Sequence, residues 1–289
     1  MVNDQAARLR ERLMALKSQA KSIAVVSGKG GVGKSNFSLN FSLSLQALGK
    51  RVLLFDLDIG MGNIDILVGE SSPYSIVDYF EKQLSLIDII KNDPSGLDYI
   101  SGGTGLGTIF KLDDGKFERF TSELELLFKA YDFVIFDMGA GISEDSIQFI
   151  LAVDEIIVIT TPEPTAITDA YAAMKYITLK DSTIPFTLVI NRVFNQKVGE
   201  TTFKRLASAM TSFMQREITL LGMIPDDSTI MKAVINQKPF VHFQPNCPAS
   251  KAIATLSNEF LMRTNSLDSA VYQKTPFIAK LKNFFMKGR

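Results

Sequence analysis

The sequence predicts an α/β fold: a doubly wound, mainly parallel sheet flanked by helices on both faces, with an N-terminal helical extension and a C-terminal amphipathic helix. Three observations predict it. Short apolar, β-branched runs recur at residues 23–27, 52–56, 133–137, 155–161, 186–191 and 220–224, each of the length of a buried strand. Amphipathic stretches at 34–48, 117–131, 166–179 and 201–213 separate most of them, with the apolar spacing of helices packed on a sheet. No internal repeat or low-complexity tract interrupts this alternation, which is that of parallel strands joined by crossover helices. Ligands of such a sheet sit at the carboxyl ends of its strands, and Ser27, Asp56, Asp137, Thr161 and Asn191 fall there.

Composition narrows the class. The 289 residues, 46% apolar and 21% charged, suffice for a large core. The expected division is 1–20 as a helical extension, 21–263 as one domain, and 264–289 as a linker and terminal helix. Thirty-one Lys and Arg balance 31 Asp and Glu, so whole-chain charge draws in neither nucleic acid nor anionic membrane, and either needs a local patch. One cysteine, Cys247, cannot form an internal disulfide or supply the thiolate pair of a zinc or iron–sulfur site. One histidine, His242, weakens any zinc or Ser-His-Asp reading, and both residues are expected in packing or loops. The polar N-terminus lacks a secretory core and no apolar run approaches a bilayer span, so the expected location is the cytoplasm.

The first strand carries the strongest motif. Ser27-Gly28-Lys29-Gly30-Gly31-Val32-Gly33-Lys34-Ser35 follows an apolar run and opens a helix, the context of a phosphate-binding P-loop. Its glycines let successive N–H groups turn inward as an anion cradle, and the helix N-terminus adds partial positive charge. Lys34 is set to reach the β- and γ-phosphates and Ser35 to ligate Mg2+, with Asn36 on the nucleotide side of the first helical turn.

The additional Lys29 resembles the deviant Walker A loop, K-G-G-x-G-K-[ST], of the MinD/ParA ATPases. That resemblance implies ATP and ADP with Mg2+ as ligands and an ATP-dependent homodimer. It implies too that Lys29 crosses the interface to the partner's nucleotide, where a cation offsets charge on the transferring phosphoryl group. Asp56-Leu57-Asp58-Ile59-Gly60 and Phe136-Asp137-Met138-Gly139-Ala140-Gly141 resemble the family's switch regions. Carboxylates at those strand ends suit outer-sphere Mg2+ binding by Asp56 and Asp137. The resemblance gives Asp58 the attacking water, which makes Lys29, Lys34 and Asp58 the expected catalytic set, and Gly139 leaves room for an N–H to meet the γ-phosphate. Ile190-Asn191-Arg192 and Ile224-Pro225-Asp226-Asp227 resemble base-recognition segments. An Asn amide can donate to adenine N1 and accept from its N6 amino group, which favours ATP over GTP.

The two ends extend the reading. After Pro276, the residues Phe277, Ile278, Leu281, Phe284 and Phe285 share one helical sector, flanked by Lys280, Lys282 and Lys287. This suits an interfacial helix on anionic lipid, peripheral at the inner face of the cell membrane in the ATP-bound state. The alternative is a terminal helix docked on the core, and both hold in turn if the helix is stored in the monomer and released on dimerisation. Near the start, Asp4-Gln5-Ala6-Ala7-Arg8-Leu9-Arg10 resembles the D-Q-A-x-x-L-R motif of the FlhG (YlxH or FleN) flagellar number regulators, which are MinD relatives. The resemblance implies a helix that engages and stimulates FlhF, a signal-recognition-particle-type GTPase. Gln5 would lie nearest the GTP site and Leu9 and Arg10 would dock, with Asp4 and Ala6 beside them. It further implies flagellar switch-complex (C-ring) proteins as clients. Three other readings compete: a cell-division MinD with the same engine, a ParA-like DNA-partition protein, and a metabolic enzyme such as a nitrogenase iron-protein relative. The neutral charge disfavours a nucleic-acid partner. The single cysteine excludes the cluster ligands of the iron protein.

Overall fold

A computed structural model describes residues 19–58, 63–102, 113–142, 144–181, 183–267 and 276–287. Eight strands form one sheet: β1 (Lys21–Val26), β2 (Val52–Leu57), β3 (Ile90–Asn92), β4 (Asp98–Ile100), β5 (Phe133–Met138), β6 (Glu155–Thr160), β7 (Phe186–Val193) and β8 (Thr219–Pro225). Their order is β3-β4-β2-β5-β1-β6-β7-β8, parallel throughout except between β3 and β4. Six strands are the apolar runs of the sequence. β3 and β4, three residues each, are too short to leave a periodic signal.

The described helices are α1 (Lys34–Ala47), α2 (Asn63–Val68), α3 (Ile76–Glu81), α4 (Asp114–Ala130), α5 (Glu144–Ala152), α6 (Pro164–Lys180), α7 (Gln196–Met214), α8 (Ser228–Ile235), α9 (Phe240–Phe243), α10 (Pro248–Leu267) and α11 (Phe277–Lys287). Local chemistry marks several starts. Asp113, Asn195 and Asp227 cap α4, α7 and α8 by accepting backbone N–H groups, and Pro164 opens α6 where its missing N–H costs nothing.

Helices cover both faces of the sheet. One layer, carrying α4 to α7, packs on Val26, Phe55, Phe136 and Val158; the other, carrying α1, α9 and α10, packs on Ile23, Val25, Leu54 and Ile135. α1 lies between the sheet and α10 and is buried nearly all round. Its polar residues bond inward: Ser42 Oγ donates to the Ser38 carbonyl at 2.7 Å and Asn40 Nδ2 to that of Asn36 at 2.8 Å.

One boundary and the placement of one helix differ from expectation. The polar stretch expected to leave the domain at 264 begins inside α10, because Thr264 is buried and accepts a hydrogen bond from Lys21 Nζ at 3.3 Å. The apolar face of α11, expected on lipid, lies in this structure against the first helical layer, the docked alternative. Phe277, Ile278, Leu281 and Phe285 are all buried there and Phe284 is partly covered. The physical reason is a set of matching rings. Phe277 lies 5.1 Å from Phe136 of β5, 5.2 Å from Phe128 of α4 and 6.0 Å from Phe149 of α5, while Phe285 stacks on Phe117 of α4 at 3.6 Å. Lys280 Nζ reaches the Val153 carbonyl at 3.4 Å, and Lys282 is half-buried. The side chain of Lys287 lies outside the described residues, as do Asp4, Gln5, Ala6, Leu9 and Arg10.

Candidate nucleotide site

The loop from Ser27 to Gly33 joins β1 to α1 at the carboxyl edge of the sheet. Gly31 and Gly33 have φ of 79° and 91°, the left-handed region that glycine enters without a Cβ clash. Gly28 is required for a different reason: a Cβ there would lie 2.1 Å from the Asp169 carbonyl carbon, because α6 presses on the loop. Gly30 faces Ala140, and the Gly141 N–H donates to the Ser27 carbonyl at 3.2 Å, which ties the loop after β5 to the start of the P-loop.

Lys34 is buried and its Nζ lies 3.0 Å from Asp137 Oδ1, which also accepts from Ser38 Oγ at 2.8 Å. Ser35 Oγ lies 3.5 Å from the same Nζ. Register sets Asp56 opposite Asp137 on neighbouring strands, two fully buried carboxylates side by side. Burial, then the charge of Asp137, pushes Asp56 up to about 7. Both oxygens of Asp56 accept backbone N–H groups, from Asp58 at 3.0 Å and from Ile64 at 3.3 Å. Asp58 is raised by burial, opposed by the charge of Lys34, and accepts from Asn63 Nδ2 at 2.8 Å. A Cβ on Gly139 would stand 3.1 Å from Asp58 Oδ1, so the two expected switch segments touch at that glycine.

The donor set fits Mg2+ held largely by phosphate and water. Asp137 Oδ2 is buried without a partner beside Ser35 and Asp56, a hard oxygen already desolvated. Among the described residues no group of three or more His, Cys, Asp or Glu side chains is arranged to hold a metal by itself. Lys29 turns back within its own chain, its Nζ 3.0 Å from both Glu163 Oε2 and Thr165 Oγ1 at the start of α6.

A cavity of about 930 Å3 opens beside the loop. Gly33, Asn36, Thr161, Glu163, Asn191, Arg192, Asp226 and Asp227 line it, together with Phe194 and Met231. Pro225 instead lines a neighbouring cavity of about 510 Å3. Sequence reading missed Ser38, Glu163, Thr165, Phe194 and Met231. Ser38 carried a signal, since it lies one helical turn after Lys34 on the same face; the others come from chain segments far from the loop.

The Gly-rich strand–loop–helix, the buried lysine and the parallel sheet with β1 at its centre define a P-loop nucleotide hydrolase. The chain belongs to the ParA/MinD family of P-loop ATPases: the family model described as ParA, NUBPL iron-transfer P-loop NTPase, matches residues 18–261. Flagellum site-determining protein YlxH of Helicobacter pylori is 36% identical over 264 residues, 87% of this chain and 88% of that protein. Antiactivator FleN of Pseudomonas aeruginosa is 30% identical over 237 residues, 82% and 85% of the two chains. Among solved structures, septum site-determining protein MinD of Pyrococcus horikoshii, complexed with Mg-ADP, superposes with a TM-score of 0.69 at 23% identity, covering 87% of this chain and all of that one. This last likeness shows the fold. Among the described residues no helix is long and apolar enough to cross a membrane.

Proposed function

We propose that this ATPase is a switch that sets flagellar number and placement. ATP with Mg2+ occupies the cavity beside the P-loop, with its phosphates on residues 28–35. Ser35 would hold the metal through its hydroxyl, and Asp56 and Asp137 would hold it through water. Two ATP-bound copies pair, and Lys29 leaves Glu163 for the partner's phosphates, where its charge offsets that of the transition state. Asp58 positions the attacking water, and hydrolysis resets the switch. In the reset monomer α11 is stored on α4, α5 and β5, a reading supported by its packing there. Pairing releases α11 to an anionic membrane surface, where two weak anchors act together.

The observation that carries the flagellar output is the Asp4-Gln5-Ala6 to Leu9-Arg10 motif. The likeness to YlxH, a relative named as a flagellum site-determining protein, and to the antiactivator FleN supports it. The client is FlhF, stimulated by residues 1–20, with C-ring proteins as further clients. The test is the GTPase rate of FlhF with the full chain and with its Gln5→Ala variant. Stimulation that disappears with Gln5→Ala is expected. Equal rates with and without the wild-type chain would instead leave a MinD-type ATPase with a different client.

A further inference from the structure

We propose that the groove filled by α11 has a second occupant within the same chain: residues 1–18 take it when α11 leaves, so the two ends of the chain exclude one another there. The place of this exchange in the switch rests on the release of α11 proposed above. Its basis is where the chain enters the fold. Ala20 is buried in the same apolar cluster as Phe128 and Phe277, and its N–H donates to the Phe128 carbonyl at 2.8 Å, near the end of α4. Two residues on, Ser22 Oγ donates to Asp154 Oδ2 at 2.6 Å, just past the end of α5. The segment before Ala20 thus meets the fold between the ends of the two helices that flank α11. α11 begins at that same mouth, with Phe277 5.2 Å from Phe128 and Lys280 Nζ 3.4 Å from the Val153 carbonyl.

Length and pattern match the groove. α11 runs antiparallel to α4, its start on Phe128 and its end on Phe117. From Phe277 to Phe285 a helix climbs about 12 Å, and from Leu16 back to Leu9 about 10 Å, at ~1.5 Å per residue. Leu9, Leu13, Leu16 and Ala20 share one helical face. A helix laid back along α4 from Ala20 brings that face over the rings that α11 now covers. Leucines have no rings to stack on Phe117 and Phe128, so residues 1–18 hold the groove less firmly and α11 is its resident. Once α11 is away, covering those rings removes a large apolar surface from water and favours the released form. Leu9 belongs to the motif proposed to meet the client, so that motif is withheld while α11 is away and free while α11 is docked. By linkage, a client that holds residues 1–18 favours the docked helix.

Hydrogen exchange of the full chain, without nucleotide or lipid, reads both occupants. Leu9→Asp with Leu13→Asp disables the competitor, since a carboxylate does not enter an apolar groove. Undocked α11 then loses its replacement, and the amides of 281–286 should exchange roughly ten-fold more slowly than in the wild type, the weight of partly burying two leucines. Leu281→Asp with Phe285→Asp disables the resident instead, and the amides of 9–17 should become protected, with circular dichroism to confirm folding. Unchanged exchange of 281–286 in the first variant would overturn the proposal. Faster exchange would overturn it too, by showing that residues 1–18 support α11 where it lies. So would a folded second variant with no protection of 9–17, or protection that grows with protein concentration, which would assign the groove to a second copy. Release itself fails separately: if Mg-ATP and anionic vesicles leave the α11 amides of the wild type as protected as before, the membrane switch falls and the exchange of occupants stands.

Discussion

Replacing Phe117 by alanine should loosen the C-terminal helix without altering it. Phe117 stacks on Phe285 with centroids 3.6 Å apart and planes 4° from parallel, and it is 5% exposed with α11 in place. Truncating a buried Phe costs about 3–5 kcal/mol in total. Only part of that falls on docking, because Phe117 keeps its contacts with the rest of α4 when α11 leaves. The share lost with Phe285 is one aromatic pair, ~0.5–1.5 kcal/mol, plus the apolar area the two rings cover, so docking should weaken by ~1–2 kcal/mol. At about 1.4 kcal/mol per factor of ten, the undocked fraction rises roughly ten-fold. Hydrogen exchange of the amides of 281–286 reads this directly in the nucleotide-free protein. Sedimentation with anionic vesicles reads it through a tail whose own sequence is intact. Wild-type exchange rates in Phe117→Ala would refute the docking energetics. Faster exchange with no gain in vesicle binding would refute the link between release and membrane.

The buried charges of the nucleotide site set the outcome of four further substitutions. Lys34→Ala should abolish nucleotide binding and also lower the stability of the empty protein by ~3–5 kcal/mol, since Asp137 is left buried without its counter-charge; Lys34→Ala with Asp137→Asn should recover most of the loss in a urea titration. Asp58→Ala should keep ATP affinity, stop turnover and accumulate the dimer, read by titration, phosphate release and light scattering. Stability of the empty protein should depend on Asp56. The native chain keeps a proton up to about 7 that the unfolded chain releases near 3.8, so this contribution is complete below about pH 4 and is lost as pH rises to about 7. The loss amounts to as much as ~4 kcal/mol, and Asp56→Asn should flatten the profile.

How much was legible in the sequence depended on whether one segment carried the signal. β5 could be read because all six residues from Phe133 to Met138 are buried and nearly all apolar. The P-loop could be read because its glycines, lysine and serine act through spacing along nine consecutive residues. α1 was legible as a helix but not in its surroundings: the polar residues Ser38, Asn40 and Ser42 are buried, their polar atoms bonded to carbonyls, an N–H or Asp137. What the sequence left unread are pairings across the fold. Lys29 meets Glu163 from 134 positions away, and Gly28 is glycine because of Asp169, a contact that no local pattern encodes. The tail shows both limits together. Its apolar sector was plain, yet the partners of that sector, Phe117, Phe128, Phe136 and Phe149, are scattered over three elements.

The contact between Lys34 and Asp137 has a bearing on turnover. Lys34 Nζ is paired with the Asp137 carboxylate at 3.0 Å, so under the nucleotide site proposed above a phosphate that takes the lysine does so in exchange for that carboxylate. Nucleotide affinity at such a site is then lowered by whatever the Lys34–Asp137 pair is worth, and release of nucleotide restores the pair.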